Sequence, residues 1–330
     1  MLSRIARNIY ELGQQIERAE NIARILDVNR RMSLEQDYFS ELDVWSPMLA
    51  ITHAREAFDA KHDSVTRRRV MAFLISDTSH PYSIRACLNH AREMARTVRE
   101  HISEEMWLSL NKMYHVITGR TDNSQAFLDE VRQFCNAFHG LVDNTMSHGE
   151  TWQFLRLGVA LERAFMTSRI LEIKYHLLLP SPEEVGKPLD LHQWQALLRS
   201  VSGYEAYRRQ YKARIDPTKV LRLLSLDPRF PRSLHFSIRQ IADALKGIGT
   251  ANETQYDLLM ETESFLDDLR GGAARDELRS MLLKDYLESV QQRCEHISGL
   301  INEAFFNSVT VTVTDAHKGL LTMQIPQQQQ

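Results

Sequence analysis

The chain has 330 residues, of which 43% are hydrophobic and 25% are charged. This length and composition suffice for a large buried core, and they exclude disordered, collagen-like and disulfide-stapled miniature proteins. A formal net charge of −3 provides no general attraction for nucleic acid or anionic lipid, so we expect neither as a partner.

The N-terminal residues 1–7 carry charged side chains within every helical turn, and no apolar stretch in the chain reaches the length of a membrane span. We therefore expect no signal peptide and no membrane-spanning helix. Three cysteines without a Cys-x-x-Cys spacing predict a reducing compartment, which we take to be the cytoplasm.

Helical periodicity and helix start signals predict an all-α protein, and the scarcity of glycine and proline favours long helices. In the first half we expect helices near 3–31, 47–61, 64–76, 82–102, 104–118 and 123–146, and in the second half near 150–178, 190–212, 217–226, 232–247, 252–270 and 275–306. Residues 308–314 alternate valine and threonine, and the chain ends in a run of glutamines. We expect residues 308–330 to form a flexible tail, or a strand that adds to a partner's sheet.

The two halves of the chain repeat each other. Four anchors recur in the same order: residues 12–19 with 157–164, Trp45 with Trp194, 77–84 with 227–234, and 128–141 with 287–300. Their offsets grow slowly from 145 to 159 residues, which predicts a duplication followed by small insertions. We expect two tandem helical repeats, 1–148 and 149–307, related by a pseudo-twofold axis and forming one elongated bundle.

A short Glu-Arg pattern is the most distinctive part of this repeat. A helical wheel of the first helix places an apolar stripe on one side, with Gly13, Glu17, Glu20 and Arg24 on one flank and Arg18 on the other. Glu17 and Arg18 are therefore not expected to pair with each other. A glycine one turn before a charged residue indicates that another helix approaches closely at this flank.

The second half keeps most of this pattern, with Glu162, Arg163 and Arg169 at the corresponding positions. Phe165 replaces the second glutamate, so the second copy is more apolar. Two interpretations remain open. The charged residues either form partly buried ion pairs that hold the long helices in register, or they converge into a polar pocket that binds a carboxylate or phosphate.

Three stretches are distinctive, namely residues 2–10 (LSRIARNIY), 17–21 (ERAEN) and 83–88 (SIRACL). They resemble the bacterial alpha-E family, an all-helical family named for its Glu-Arg motif. The resemblance extends up to the tail and assigns the motif to Glu17-Arg18. The internal repeat adds a second Glu-Arg pair at Glu162-Arg163. The resemblance implies a partnership with circularly permuted ATP-grasp ligase-like proteins, often with transglutaminase-like proteins nearby, and hence an accessory role in making or modifying a peptide.

Other kinds of site find little support in the sequence. A di-metal carboxylate bundle needs Glu-x-x-His on two helices, and that spacing does not occur in the chain. Motifs for phosphate cradles, zinc proteases and serine nucleophiles are also missing from the sequence. We therefore predict no metal, no cofactor and no nameable catalytic residue. We expect a non-catalytic partner protein, and the alternative is an enzyme whose Arg- and Glu-lined pocket between the repeats acts on an amino acid or peptide carboxylate.

Overall fold

The structure is a computed structural model that describes residues 1–35, 41–119, 125–176, 188–212, 214–271 and 283–306. The described residues form helices and turns without any strand, which confirms the predicted all-α class. The helices of the first half are α1 (Ser3–Glu35), α2 (Glu41–Ile51), α3 (Arg55–Asp59), α4 (Arg67–Ser76), α5 (Ile84–Thr97), α6 (Glu104–Gly119) and α7 (Gln125–Thr145). Those of the second half are α8 (Glu150–His176), α9 (Pro188–Ser200), α10 (Tyr204–Tyr211), α11 (Pro217–Leu226), α12 (Leu234–Ile248), α13 (Glu253–Arg270) and α14 (Leu283–Ile301), which a π-helical turn, Asn302–Phe306, follows.

The two longest helices, α1 and α8, pack against each other at the centre. The remaining helices flank them, with α5 and α7 against α1, and α12 and α14 against α8. The predicted apolar stripe of α1 is buried apart from its first residue, Ile5, which is half-buried. Its buried residues are Ile9, Leu12, Ile16, Ala19, Ala23 and Leu26. Because both central helices are surrounded by others, charged residues on their flanks are drawn into the interior.

Two glycines allow the central helices to approach closely. A Cβ atom at Gly13 would overlap the carbonyl oxygen of Leu155 on α8, and one at Gly158 would overlap the carbonyl oxygen of Tyr10 on α1. The close approach that the sequence predicted is therefore present. It is reciprocal, because each helix supplies one glycine to the other.

Two helices that the sequence predicted as continuous are broken. The predicted helix 47–61 divides into α2 and α3 at His53, which has φ +50°, and the predicted helix 190–212 divides into α9 and α10 at Ser202, which has φ +52°. A left-handed residue cannot continue a right-handed helix. The start of α2 was also wrong, since α2 begins at Glu41 and Pro47 lies inside it. Trp45 and Leu49 on either side of Pro47 are buried, and their packing outweighs the tendency of proline to end a helix.

The repeated segments 77–84 and 227–234 lead into α5 and α12, and a serine of each segment caps the helix that follows. The side chain of Ser83 accepts a hydrogen bond from the amide of Ala86 at the start of α5, and that of Ser233 accepts one from Phe236 at the start of α12. These side chains satisfy amide groups that lack a partner in the first turn of a helix. The caps fix where α5 and α12 leave the turns that precede them.

Some predictions fall on residues outside the described ranges, among them the strand-like tail at 308–314 and the beginning of the predicted helix 275–306. The division into domains at residues 148 and 307 stays a prediction. None of the described helices combines the length and the apolar character that crossing a membrane requires.

Candidate functional site

Two crossed ion pairs connect α1 and α8. Arg163 donates from Nε and Nη2 to the two carboxylate oxygens of Glu17, at 3.1 and 2.6 Å. Arg18 donates from Nε and Nη2 to the two oxygens of Glu162, at 2.9 and 2.5 Å. Each glutamate of the Glu-Arg pattern therefore pairs with an arginine of the other helix, and not with its own neighbour. Paired donors of this kind fix the orientation of the carboxylate as well as its charge.

Glu17 binds a second arginine that the sequence did not single out. Arg232, in the turn before α12, donates from Nη1 to Glu17 Oε1 at 2.8 Å and to Asn21 Oδ1 at 2.5 Å. Burial alone would raise the pKa of Glu17, but Arg163 and Arg232 outweigh that effect and hold the pKa well below its usual value. Glu17 is therefore a carboxylate that stays ionised although its side chain is 0% exposed.

Glu20 has a similar environment one turn further along α1. Its Oε1 accepts hydrogen bonds from Arg24 Nε at 2.8 Å and from Arg232 Nη2 at 2.7 Å. Burial raises the pKa of Glu20, and Arg232 together with His139 lowers it to a net value of about 2. Arg24 thus pairs with Glu20 on its own helix, and it also donates from Nη1 to Ser202 Oγ at 2.5 Å.

His139 of α7 lies against both carboxylates. Its Nε2 is 3.4 Å from Glu17 Oε2 and 3.3 Å from Glu20 Oε2. Burial lowers the pKa of His139, but the two carboxylates outweigh burial and raise the pKa above its usual value. The cluster thus combines two carboxylates with three guanidiniums and an imidazole that gains a proton readily.

Among the described residues, the two carboxylates and the imidazole of this cluster come closest to a set of metal ligands. One donor atom from each of Glu17, Glu20 and His139 lies within 4.8 Å of the other two, and carboxylate and imidazole both bind transition metals. Three guanidiniums already bind these carboxylates, so a divalent cation would add charge to a buried cluster with more positive than negative groups. The charge balance therefore favours a proton on His139 over a metal ion.

The corresponding position in the second half is much less polar. Arg18 pairs with Glu162 and lies over the ring of Tyr82, with its guanidinium carbon 4.3 Å from the ring centroid. By the predicted offsets, Tyr82 corresponds to Arg232, Phe165 to Glu20 and Ser298 to His139. Glu162 therefore lies in an ion pair with largely apolar surroundings, whereas Glu17 lies in a charged cluster.

Of the predicted site residues, the structure brings Glu17, Arg18, Glu20, Arg24, Glu162 and Arg163 to the interface of α1 and α8. Arg169 lies apart from them, with its guanidinium carbon 5.4 Å from the ring centroid of Phe165. Burial lowers the pKa of His53, and the charge of Arg169 lowers that pKa further. Sequence reasoning missed Arg232 and His139, which come from distant elements. The second-half turn carries Arg232 where the first carries Tyr82, and this departure from the repeat was the available signal.

Comparison with known families identifies the group to which these features belong. The profile of the Alpha-E family, described as a predicted alpha-helical domain with a conserved ER motif, matches residues 1–306. This chain belongs to the Alpha-E family. The sequence has Glu-Arg at residues 17–18 on α1 and at residues 162–163 on α8, and these four residues form the crossed ion pairs.

Three uncharacterised mycobacterial proteins are similar to this Alpha-E chain, one from Mycobacterium bovis and two from Mycobacterium tuberculosis. Each is 22% identical over 269 residues, which is 74% of this chain and 30% of the relative. The chain therefore spans less than a third of the length of these relatives. No solved structure matches the chain.

Proposed function

We propose that this Alpha-E chain is a helical accessory protein that acts through contacts with another protein. The observation that supports this most is the use of the Glu-Arg motif within the fold: both glutamates are at most 2% exposed, and both are paired across α1 and α8. Charged groups committed to joining two helices are not available for substrate. The motif therefore stabilises the packing of α1 against α8, and a partner protein would bind the outer surface of the bundle.

The partner we propose is an ATP-grasp-type ligase, with a transglutaminase-like protein as a further member of the system. The Alpha-E resemblance carries this part of the proposal, which concerns the synthesis or modification of a peptide in the cytoplasm. The length of the mycobacterial relatives is compatible with it, because most of each relative lies outside the matched region and has room for other domains.

We also propose that the chain arose by duplication into repeats 1–148 and 149–307. Three reciprocal relationships support this: the two glycines, the two ion pairs, and the left-handed residues at His53 and Ser202. A fourth lies at the ends of the central helices, where Arg132 pairs with Asp27 and Gln291 donates to Glu172 at 2.5 Å. Asp27 and Glu172 are separated by the predicted offset of 145 residues, and Arg132 and Gln291 by the predicted offset of 159 residues.

Co-expression with a candidate ATP-grasp ligase tests the accessory role. We expect the two proteins to elute together from a gel-filtration column in a fixed ratio, and the ligase to consume ATP faster in the presence of this chain. The matched control is the ligase expressed alone. Separate elution together with an unchanged rate of ATP consumption would contradict the accessory role.

A second candidate function is an enzyme acting at the charged cluster. One observation favours it: Glu20 Oε2 and His139 Nε2 are both buried without a hydrogen-bond partner of acceptable geometry, and a catalytic role or a bound water or ion is one explanation for such atoms. A cavity of about 490 Å³ elsewhere, lined by residues such as Phe154, Thr250 and Phe305, includes none of the cluster residues. The enzyme hypothesis requires Glu20→Gln to yield a folded chain that has lost activity, whereas the accessory role predicts that it still stimulates the ligase.

A further inference from the structure

Acidic residues are concentrated in helix α13, near the end of the described part of the chain. Residues 253–306 carry a formal net charge of −7, compared with −3 for the whole chain. Most of this charge comes from α13, which has six acidic residues and one arginine in 18 residues. The rest of the chain is therefore net positive, and the net negative charge of the chain comes from residues 253–306.

The outer face of α13 combines this charge with exposed apolar side chains. Tyr256 and Met260 are 53% and 36% exposed and lie one turn apart on the same face. Glu253 and Asp257 are exposed beside them. The opposite face of α13 is buried against α12 and α14 through Leu258, Thr262, Phe265 and Leu269.

Several acidic residues of α13 are already neutralised by neighbours. Glu263 pairs with Lys246 of α12 at 2.6 Å, and Arg293 of α14 pairs with both Glu261 and Asp268. Within the part of the chain that the structure describes, Glu253 and Asp257 form no ion pair. The uncompensated negative charge thus lies next to the two exposed apolar side chains.

The predicted counterpart of α13 in the first half lacks this concentration of charge. Helix α6 contains Glu104 and Glu105 but also Lys112, and its outer face exposes Leu108, at 57%. An exposed apolar residue therefore recurs in both halves, whereas a net charge of −5 within one helix does not. The packing of the bundle does not require the acidic face, because α6 packs without one.

We propose that the outer face of α13 binds a positively charged helical segment of a partner protein. Lysine and arginine side chains of that segment would face Glu253 and Asp257, and its apolar side chains would cover Tyr256 and Met260. Complementary charge accelerates association and aligns the partner, while burial of the aromatic and thioether side chains supplies affinity. This inference rests on the proposed function only in taking the partner to be a protein.

A synthetic amphipathic peptide tests the surface directly. The probe is a fluorescently labelled helical peptide with leucines on one side and arginines on the other, titrated with the full chain while anisotropy is recorded. The variant Glu253→Lys/Asp257→Lys/Met260→Ser should weaken binding by about tenfold or more, and added salt should weaken binding to the unmodified chain. Circular dichroism and the melting temperature should show that the variant is folded.

A matched variant on α6 separates the proposed surface from general charge effects. Glu104→Lys/Glu105→Lys/Leu108→Ser makes the same change in charge and removes one exposed apolar side chain, and it should leave peptide binding unchanged. Equal loss in both variants, or no loss in either, would overturn the proposal. A concentration-dependent dimer that only the α13 variant abolishes would assign the face to a second copy of the chain and would also overturn it.

The same variants distinguish this inference from the proposed function. If the ligase elutes together with the unmodified chain and the α6 variant but not with the α13 variant, both proposals are supported. Co-elution with all three would support the accessory role and overturn the α13 surface as its contact. Peptide binding without any co-elution would support the surface and contradict the ligase partnership.

Discussion

Gly13 of α1 and Gly158 of α8 each occupy the place where the other helix comes closest. Gly13 faces the carbonyl oxygen of Leu155, and Gly158 faces that of Tyr10. The ion pairs Glu17–Arg163 and Arg18–Glu162 follow one turn later on each helix. Close contact between the backbones brings these side chains within bonding distance, so the glycines and the Glu-Arg motif form one structural unit.

Replacing Gly158 by alanine should therefore destabilise the fold. A Cβ atom at this position overlaps the backbone of α1, and overpacking of this kind costs about 1–3 kcal/mol in the free energy of unfolding. The measurement is urea unfolding followed by circular dichroism. Gly140→Ala on α7 is the control, because a Cβ there meets nothing within 4 Å and should stabilise the helix by about 0.5–1 kcal/mol. Equal stabilisation by both substitutions would disprove the close contact.

The buried ion pair should be far more sensitive than an exposed one. Glu17→Gln leaves Arg163 and Arg232 facing a neutral amide, and breaking a buried pair on one side costs about 3–5 kcal/mol. Asp59→Asn provides the control, since the Arg55–Asp59 pair is 48% and 45% exposed and should contribute less than about 1 kcal/mol. Urea unfolding measures both variants. A fully stable Glu17→Gln variant that had lost its activity would instead support the enzyme hypothesis.

The periodicity of α1 was sufficient to predict its buried stripe, and the spacing of Gly13 and Glu17 was sufficient to predict a close helix on that flank. The wheel also predicted correctly that Glu17 does not pair with Arg18, because adjacent residues on a helix face different directions, but it did not predict Arg163 as the partner of Glu17. These features depend on local geometry within one helix. A single sequence records that geometry directly.

Arg232 and His139 could not be placed in the same way. They reach Glu17 from a turn and a helix that are distant in sequence, so their positions depend on how the whole bundle packs. The helix breaks at His53 and Ser202 were missed because neither residue type requires a left-handed conformation. The glycine after Ser202 was the available local signal, and the first half has Ala54 in its place.

The three cysteines should be unreactive in the folded protein. Cys87, Cys135 and Cys294 are all 0% exposed, and burial raises the pKa of Cys87 and Cys294 to about 12. The thiolate is the reactive form of cysteine, so iodoacetamide should modify none of the three in buffer and all three in urea. Mass spectrometry counts the added groups. Rapid modification of any cysteine under native conditions would show that the core around it opens.

The charged cluster should make stability depend on pH in two opposite directions. The pKa values of Glu17 and Glu20 are lowered on folding from a usual value of 4.5. Their contribution is therefore complete above about pH 4.5 and is lost as pH falls toward their folded values. The pKa of His139 is raised from 6.5. Its contribution is complete below about pH 6.5 and is lost as pH rises through its folded value.

Substituting His139 isolates the second effect. Burial lowers the pKa values of His80 and His235, so these residues change the stability of the unmodified chain with pH in the opposite direction to His139. The effect of His139 is therefore read from the difference in unfolding free energy between the variant and the unmodified chain. His139→Gln should lower the free energy of unfolding more at about pH 5 than at about pH 9, because the protonated imidazole attracts Glu17 and Glu20 and the neutral imidazole does not. His90→Gln is the control, since it removes an exposed His–Glu contact, 45% and 32% exposed. A loss of stability in His139→Gln that is the same at both pH values would show that His139 remains neutral in the cluster.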